Sequence, residues 1–163
     1  MPSSADTAYD AIVAAVIALE RSCLEADAAL AERRWPDLES ALRVLATWRG
    51  RRLALLGDMF ELGVASQSEH ARLGCALAAS TDVLAVIGRD AQLAADSAIQ
   101  EGFDARRVLR FPCDPDVEES RSAARAAATG WLRDTLQDGD LALIKASRGM
   151  GLDSVVGAIE EPA

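Results

Sequence analysis

The chain has 163 residues, half of them hydrophobic, and a formal net charge of -9. So acidic a chain offers no long basic patch for phosphate backbones, which argues against a nucleic-acid scaffold. No apolar run is long enough to span a bilayer, and the first residues lack the charged and apolar regions of a signal peptide. We therefore expect a globular, cytoplasmic protein that binds neither nucleic acid nor a membrane.

The cysteines and the histidine exclude two further classes of site. The three cysteines, Cys23, Cys75 and Cys113, are scattered along the chain and odd in number, which favours reduced thiols over disulfides. His70 has no second histidine and no paired cysteine near it in the sequence. The spacing therefore predicts no metal site.

The first part of the chain has the pattern of two helices. Apolar residues recur at alternating steps of four and three, at Ile12, Val16, Leu19, Cys23, Ala26 and Leu30. This spacing predicts a helix with one apolar seam. Pro36 then begins a second helix that runs to residue 47, so residues 1–49 are predicted to form a helical hairpin whose second helix packs on the sheet that follows. The seam packs within the chain, or it makes a dimer or docks a partner.

From about residue 51 onward, short apolar runs alternate with helical patterns, which is typical of βαβ units. The predicted strands are residues 53–57, 83–87, 108–111 and 141–144. The predicted helices are residues 68–80, 91–100, 117–136 and 152–160. Because the strands are almost continuously apolar, we expect helices on both faces of a mostly parallel, Rossmann-like sheet. Residues 50–163 are thus predicted to be one α/β domain.

Polar residues follow the first and the last predicted strand. Asp58 ends the first run, and Lys145, Ser147 and Arg148 follow the last one. In such sheets ligands bind beyond the carboxyl ends of the strands. Asp58 is either a ligand-binding carboxylate or a helix cap. This last segment could bind an anion, because it combines two cations, a hydroxyl and glycines near residue 148. The same segment is equally typical of an ordinary βα loop.

Two segments carry a family resemblance. Residues 50–63 (GRRLALLGDMFELG), with Ser68, Glu69 and His70 after them, and residues 139–152 (GDLALIKASRGMGL) resemble the C-terminal domain of the Mur ligase family, in its D-alanyl-D-alanine-adding branch. The resemblance covers roughly residues 36–160. It implies an ATP-dependent peptide ligase of peptidoglycan synthesis, in which ATP phosphorylates the tripeptide carboxylate and the amine of D-alanyl-D-alanine attacks the acyl phosphate.

The resemblance also implies what this chain lacks. Family members use three domains, and ATP and magnesium belong to the central one. Here there is no Gly-rich loop with Lys and Ser or Thr, and the length suits one domain. We therefore expect no cofactor to be bound by this chain alone, no ligase activity without a separate ligase core, and either that core or a second copy of the N-terminal helix as its partner.

The resemblance gives roles to six residues as substrate-binding candidates. Asp58 and Glu61 would shape the dipeptide site, although Glu61 either bridges its turn to helix amides or meets the ammonium of the dipeptide. Lys145, Ser147 and Arg148 would orient anionic groups of the substrate. His70 is either a general base or a hydrogen-bonded structural residue.

One segment departs from the family. Residues 32–35 (ERRW) replace an Asn-rich, tyrosine-containing segment that meets nucleotide and substrate in family members. That role does not carry over to these positions. Two alternatives to a ligase domain therefore stay open, namely a non-catalytic binding or regulatory module and a degenerate domain without activity.

Overall fold

The computed structural model describes residues 35–160, without the side chains of residues 35–40, 61 and 160. The α-helices are α1 (Trp35–Thr47), α2 (Ser66–Ser80), α3 (Ala91–Gln100), α4 (Glu118–Thr135) and α5 (Asp153–Glu160). The strands are β1 (Arg52–Gly57), β2 (Val83–Ile87), β3 (Val108–Phe111) and β4 (Leu141–Lys145). Short 3-10 helices occupy Phe60–Ala65, Ala105–Arg107 and Arg148–Met150.

The four strands form one sheet in the order β3-β2-β1-β4, and each of the three pairings is parallel. The strand predictions are confirmed, with β1 beginning one residue earlier than predicted and β4 extending by one residue to Lys145. After β3 the chain crosses back to place β4 beside β1, where Leu56 pairs with Lys145. The two segments that carry the family resemblance therefore end side by side.

Helices cover both faces of the sheet, as predicted. On one face, alternate strand residues such as Leu56, Val86 and Leu143 pack with Leu73 and Leu77 of α2. On the other face, a second core contains strand and helix residues together: Leu55, Ala85, Ile87 and Ile144 with Ala128, Leu132 and Val155. Because side chains alternate between the faces of a strand, both sets must be apolar, which explains the continuous apolar runs.

The second helix of the predicted hairpin lies in the described part of the chain. In α1, Leu42 and Leu45 are buried in the first of the two cores. Trp48 follows α1 and donates its indole N–H to the Gly139 carbonyl at 2.7 Å, before β4. The first predicted helix, with its seam at residues 12–30, lies outside the described residues, and the division at residue 50 remains a prediction.

Helices α2 and α3 approach closely on the first face. A Cβ placed on Gly74 of α2 would lie 2.1 Å from the carbonyl oxygen of Ala94 in α3. Ala94, Ala95 and Ala98 of α3 are fully buried. Small residues therefore bring the two helix backbones together. Within residues 35–160, no helix is long and apolar enough to cross a membrane.

Candidate functional site

The carboxyl edge of the sheet, where the four parallel strands end, contains a topological switch point between β1 and β4. Strands β1, β2 and β3 follow one another outward, whereas β4 lies on the opposite side of β1. Ligands of open α/β sheets bind at the carboxyl ends of the strands beside such a point. The loop after β1 holds Asp58, and the loop after β4 holds Ser147 and Arg148.

Asp58 is buried and caps a helix. Its side chain accepts hydrogen bonds from the backbone N–H groups of Arg89 at 2.8 Å and Ala91 at 2.7 Å, and the residue is 2% exposed. These amides belong to the β2–α3 turn and the first turn of α3. The carboxylate thus meets the positive end of the helix dipole and satisfies donors that the helix itself leaves unpaired.

Two neighbours explain why the cap comes from Asp58. Asp90 occupies the N-cap position of α3 but makes no capping bond with its side chain. Its carboxylate instead accepts the Ser66 hydroxyl at 2.7 Å. Gly88 has φ of 127°, and a Cβ there would lie 2.3 Å from the Asp58 carboxylate. Glycine at position 88 is therefore what lets the carboxylate reach the amides.

His70 is 0% exposed, and both ring nitrogens are bonded to the backbone. Nδ1 lies 2.7 Å from the Ser66 carbonyl oxygen, and Nε2 accepts the N–H of Met59 at 3.2 Å. A carbonyl only accepts and an amide only donates, so the proton is on Nδ1. In this arrangement the ring has no open nitrogen for a substrate proton, and it fixes the backbone that follows Asp58.

Ser147 joins the β4 loop to the β1 loop. Its hydroxyl oxygen accepts the N–H of Phe60 at 2.8 Å, and its own N–H donates to the Asp58 carbonyl at 2.9 Å. The residue is 6% exposed. Ser147 therefore bonds to two positions of the β1 loop and holds the two loops in register.

The two cations of the β4 loop differ in exposure. Lys145 is half-buried and borders a small space with Leu56, Leu73 and Leu77, on the side of α2. Arg148 is exposed, and no hydrogen bond or ion pair of its guanidinium involves the described residues. For Glu61, the backbone lies in the 3-10 helix Phe60–Ala65, while its side chain lies outside the described part.

Helix α4 also holds the β4 loop in place. Arg125 of α4 donates to the Met150 carbonyl at 3.1 Å and pairs with Glu118 at 2.5 Å. Gly151, in the left-handed region at φ of 67°, lets the chain turn into α5 beside this guanidinium. The loop that carries Arg148 is thus fixed on both sides.

Cys113 is a described thiol in the loop after β3, close enough to this edge for the Asp58 carboxylate to act on it. Burial, with a further contribution from the Asp58 carboxylate, raises the pKa of this thiol above its ordinary value. A raised pKa keeps the sulfur protonated at neutral pH, and a protonated thiol is a poor nucleophile. The arrangement supports binding of a ligand at this edge rather than covalent catalysis by the thiol.

The structure brings five of the six predicted residues to one edge, and there it also places Phe60, which the sequence patterns did not single out as a site residue. Phe60 is 44% exposed, and its ring lies against Gly149, where an added Cβ would be 2.8 Å from Cε2. In the sequence this contact is visible only as a bulky residue and a distant glycine. The two can be matched to each other only when the fold is known.

The opposite, amino edge of the sheet carries a groove of about 520 Å³, lined in part by Cys75, Thr81, Phe103 and Arg107. None of the six predicted site residues lines it. Across the described ranges, no three His, Cys, Asp or Glu side chains gather as ligands for a metal ion.

Comparison with known families assigns the chain. The profile described as Mur ligase, glutamate ligase domain, matches residues 36–148, which is more than half of the sequence. The chain belongs to the Mur ligase family. The match begins within α1 and ends in the β4 loop, so it includes both loops of the switch point.

Individual relatives agree with this assignment. The UDP-N-acetylmuramoyl-tripeptide--D-alanyl-D-alanine ligases of Mycobacterium tuberculosis and Mycobacterium bovis are 35% identical over 113 residues, which is 67% of this chain and 22% of theirs. The Bacillus subtilis ligase of the same name is 29% identical over 115 residues, or 69% of this chain and 22% of its own. The chain therefore spans about a fifth of the length of these curated relatives.

Solved structures show the same fold. A MurF ligase from Thermotoga maritima in complex with ADP superposes with a TM-score of 0.54 at 22% identity, covering 77% of this chain and 25% of that one. MurF from Acinetobacter baumannii gives a TM-score of 0.57 at 22% identity, covering 76% and 25%. At this identity the likeness concerns the fold. Together with the curated relatives, it matches this chain to the C-terminal domain of a MurF-type ligase.

Proposed function

We propose that this chain serves as the dipeptide-receiving C-terminal domain of an ATP-dependent ligase that joins D-alanyl-D-alanine to a UDP-N-acetylmuramoyl-tripeptide. The names of the curated relatives supply the reaction. The observation that carries the proposal is the junction of the β1 and β4 loops through Ser147, Asp58 and Phe60 at the switch point. Both loops are the ones that resemble the family.

The division of labour follows from the residues that are present. ATP activates the tripeptide carboxylate in the complete reaction, with magnesium. The 163 residues contain no Gly-x-x-x-x-Gly-Lys-Ser/Thr loop for its phosphates, so the fit to ATP is poor. The proposed contribution of this chain is to hold the dipeptide with its amine toward the activated carboxyl carbon and to exclude water from it.

The proposal assigns a partner and a place. A ligase core that carries the ATP and UDP-sugar sites would pack over the carboxyl edge, because the reacting groups must meet there. Since the substrates are nucleotide-linked precursors, the proposal places the chain in the cytoplasm. Self-association through the seam at residues 12–30 is the alternative partner, and it does not require the carboxyl edge.

A fusion protein tests the proposal. The Bacillus subtilis ligase is cut before the region that matches this chain, and residues 36–160 are joined in its place. We expect release of phosphate from ATP that requires both the tripeptide precursor and D-alanyl-D-alanine. The intact ligase and the truncated ligase alone are the two controls.

A folded fusion that releases no more phosphate than the truncated ligase would contradict the proposal. Binding of the dipeptide without turnover in such a fusion would favour the non-catalytic binding module. A fusion that neither binds the dipeptide nor turns over would favour a degenerate domain. Circular dichroism of the fusion establishes folding before activity is compared.

A further inference from the structure

We propose that Phe60 and Arg148 together recognise the carboxyl-terminal residue of the incoming dipeptide. The Phe60 ring would take its methyl group, and the Arg148 guanidinium would take its carboxylate. This inference rests on the proposed function, because it is that reaction which supplies D-alanyl-D-alanine as the ligand.

Phe60 is an aromatic residue on the surface. The large hydrophobic residues that stand exposed in the described part of the chain are Val44, Phe60, Val64 and Val117, and Phe60 is the aromatic one. An exposed ring has an apolar face available for a ligand. Its place in the 3-10 helix directly after the β1 loop puts that face at the carboxyl edge.

Backbone hydrogen bonds and packing on Gly149 fix the position of the Phe60 ring. Its backbone N–H is bonded to the Ser147 hydroxyl at 2.8 Å, and the preceding amide, that of Met59, is bonded to His70. The ring rests on Gly149, where any side chain would displace it. A side chain held in place before the ligand arrives loses little conformational freedom on binding.

Arg148 emerges between the two residues that Phe60 contacts, Ser147 and Gly149. The loop around it is fixed by the bond from the Gly151 N–H to the Arg148 carbonyl at 2.9 Å and by Arg125 on the Met150 carbonyl. The guanidinium is exposed and has no partner among the described residues. A cation and an apolar ring thus start from adjacent points of one rigid loop pair.

The dipeptide carries the groups that match this pair. Its carboxyl-terminal residue has a carboxylate, which a guanidinium binds through two parallel hydrogen bonds, and a methyl group beside it. With that end held, the amine is left at the other end of the ligand to meet the acyl donor. Asp58, His70 and Ser147 are positioning residues in this assignment, because they bond to backbone beneath the loops.

The test is a nuclear magnetic resonance titration of the full ¹⁵N-labelled chain. The probes are D-alanyl-D-alanine, D-alanyl-D-alanine amide, which lacks the carboxylate, and glycylglycine, which lacks both methyl groups. We expect the dipeptide to bind roughly tenfold more tightly than its amide, the ratio that one charge-assisted hydrogen bond gives. Shifts should concentrate on residues 58–64 and 145–151.

Two variants separate the roles. Arg148→Gln should weaken the dipeptide roughly tenfold and remove its advantage over the amide. Phe60→Ala should weaken D-alanyl-D-alanine while leaving glycylglycine unchanged, and Phe60→Leu should restore part of the loss. Arg49→Gln, an exposed arginine before β1, and Val64→Ala, an exposed apolar residue on the same 3-10 helix, are matched controls that should bind as the wild type does.

Several results would overturn the assignment. These are absence of binding by the wild-type chain at millimolar dipeptide, equal affinity for dipeptide and amide, and wild-type affinity in both Phe60→Ala and Arg148→Gln. If the fusion is active and its KM for the dipeptide is unchanged by Phe60→Ala and by Arg148→Gln, this site is rejected and the proposed function is retained. An inactive fusion that binds the dipeptide through both residues would reject the function and leave the site standing.

Discussion

Buried polar side chains beneath the carboxyl edge find their partners in backbone groups. Asp58, His70 and Ser147 are all buried, and each one accepts at least one backbone N–H. A buried polar group without a hydrogen bond costs stability, so these bonds offset the cost of burial. Because the amides belong to the β1 loop and the β2–α3 turn, the same bonds fix the shape of the edge.

Removal of the His70 ring tests this arrangement at one residue. His70→Ala leaves the Met59 N–H without its acceptor and opens a cavity, so we expect a loss of about 2–4 kcal/mol in the free energy of unfolding. Urea denaturation measures it. Gln67→Ala, an exposed position of the same helix, is the control and should change stability by less than about 0.5 kcal/mol. Equal effects of the two substitutions would contradict a structural role for the ring.

The sequence locates polar residues at the strand ends, but it does not give the groups to which they bond. Asp58 and Ser147 stand at strand ends, which the apolar runs locate. The partners are 11 residues away for the His70 bond to Met59, 33 for Asp58 to Ala91 and 87 for Ser147 to Phe60. Only the order of the strands brings such positions together, and that order is not written in local periodicity.

At the scale of elements, the helix pair α2–α3 depends on small residues. Gly74 and Ala94 permit backbone contact between the helices, and Leu73 and Leu77 fill the space toward the sheet. Protein interiors are close-packed, so a single added methyl group at such a contact forces the helices apart.

The matched pair Gly74→Ala and Gly130→Ala measures that contact. Both glycines lie in helices, but an added Cβ at Gly130 meets no atom within 4 Å, whereas at Gly74 it meets Ala94 at 2.1 Å. We expect Gly130→Ala to raise the melting temperature, through a gain of roughly 0.5–1 kcal/mol in helix propensity. Gly74→Ala should lower it, through an overpacking cost of about 1–3 kcal/mol. A stabilising Gly74→Ala would contradict the close approach.

The elements themselves were largely predictable. Strands buried on both faces are continuous apolar runs, so 53–57, 83–87, 108–111 and 141–144 were recognised within one residue. Helix starts were harder, since α2 begins at Ser66 and not at residue 68, and the cap of α3 comes from Asp58 rather than Asp90. A capping bond from another segment leaves no local signal.

At the scale of the whole molecule, ion pairs close the amino edge of the sheet. Arg51 pairs with Asp140 at 2.6 Å, and Arg52 pairs with Asp82 at 2.8 Å through a two-pronged hydrogen bond. Arginines beside strands often extend into solvent. These two instead connect β1 to the residues that precede β4 and β2, so the two edges differ in kind, with intrachain ion pairs at one and buried backbone bonds at the other.

The Arg52–Asp82 pair predicts a pH dependence. The hydrogen bond from Arg52 holds the pKa of Asp82 below its ordinary value of 3.8. The unfolded chain therefore binds this proton first, so the pair contributes stability above pH 3.8 and loses it as the pH falls through the lower pKa of the folded state. Because Asp82 is partly solvated, we expect a contribution of at most about 1 kcal/mol.

Urea denaturation between about pH 5 and about pH 2 checks the sign. Asp82→Asn should be less stable than the wild type at the upper end, and the difference should shrink toward the lower end. Asp138→Asn, at an exposed position, should show no such trend. A deficit that grows as the pH falls would contradict the lowered pKa.

The β1 and β4 loops are held together at one edge, and amide hydrogen exchange at Met59 and Phe60 tests this arrangement most directly. Both amides lie beyond the end of β1, yet His70 and Ser147 hold them, so we expect protection well above that of the exposed Gly63 and Val64. Ser147→Ala should accelerate exchange at Phe60 at least roughly tenfold, as loss of one buried bond implies, while Ser122→Ala should leave it unchanged. Exchange of both amides at the rate of an unprotected loop in the wild-type chain would contradict the account.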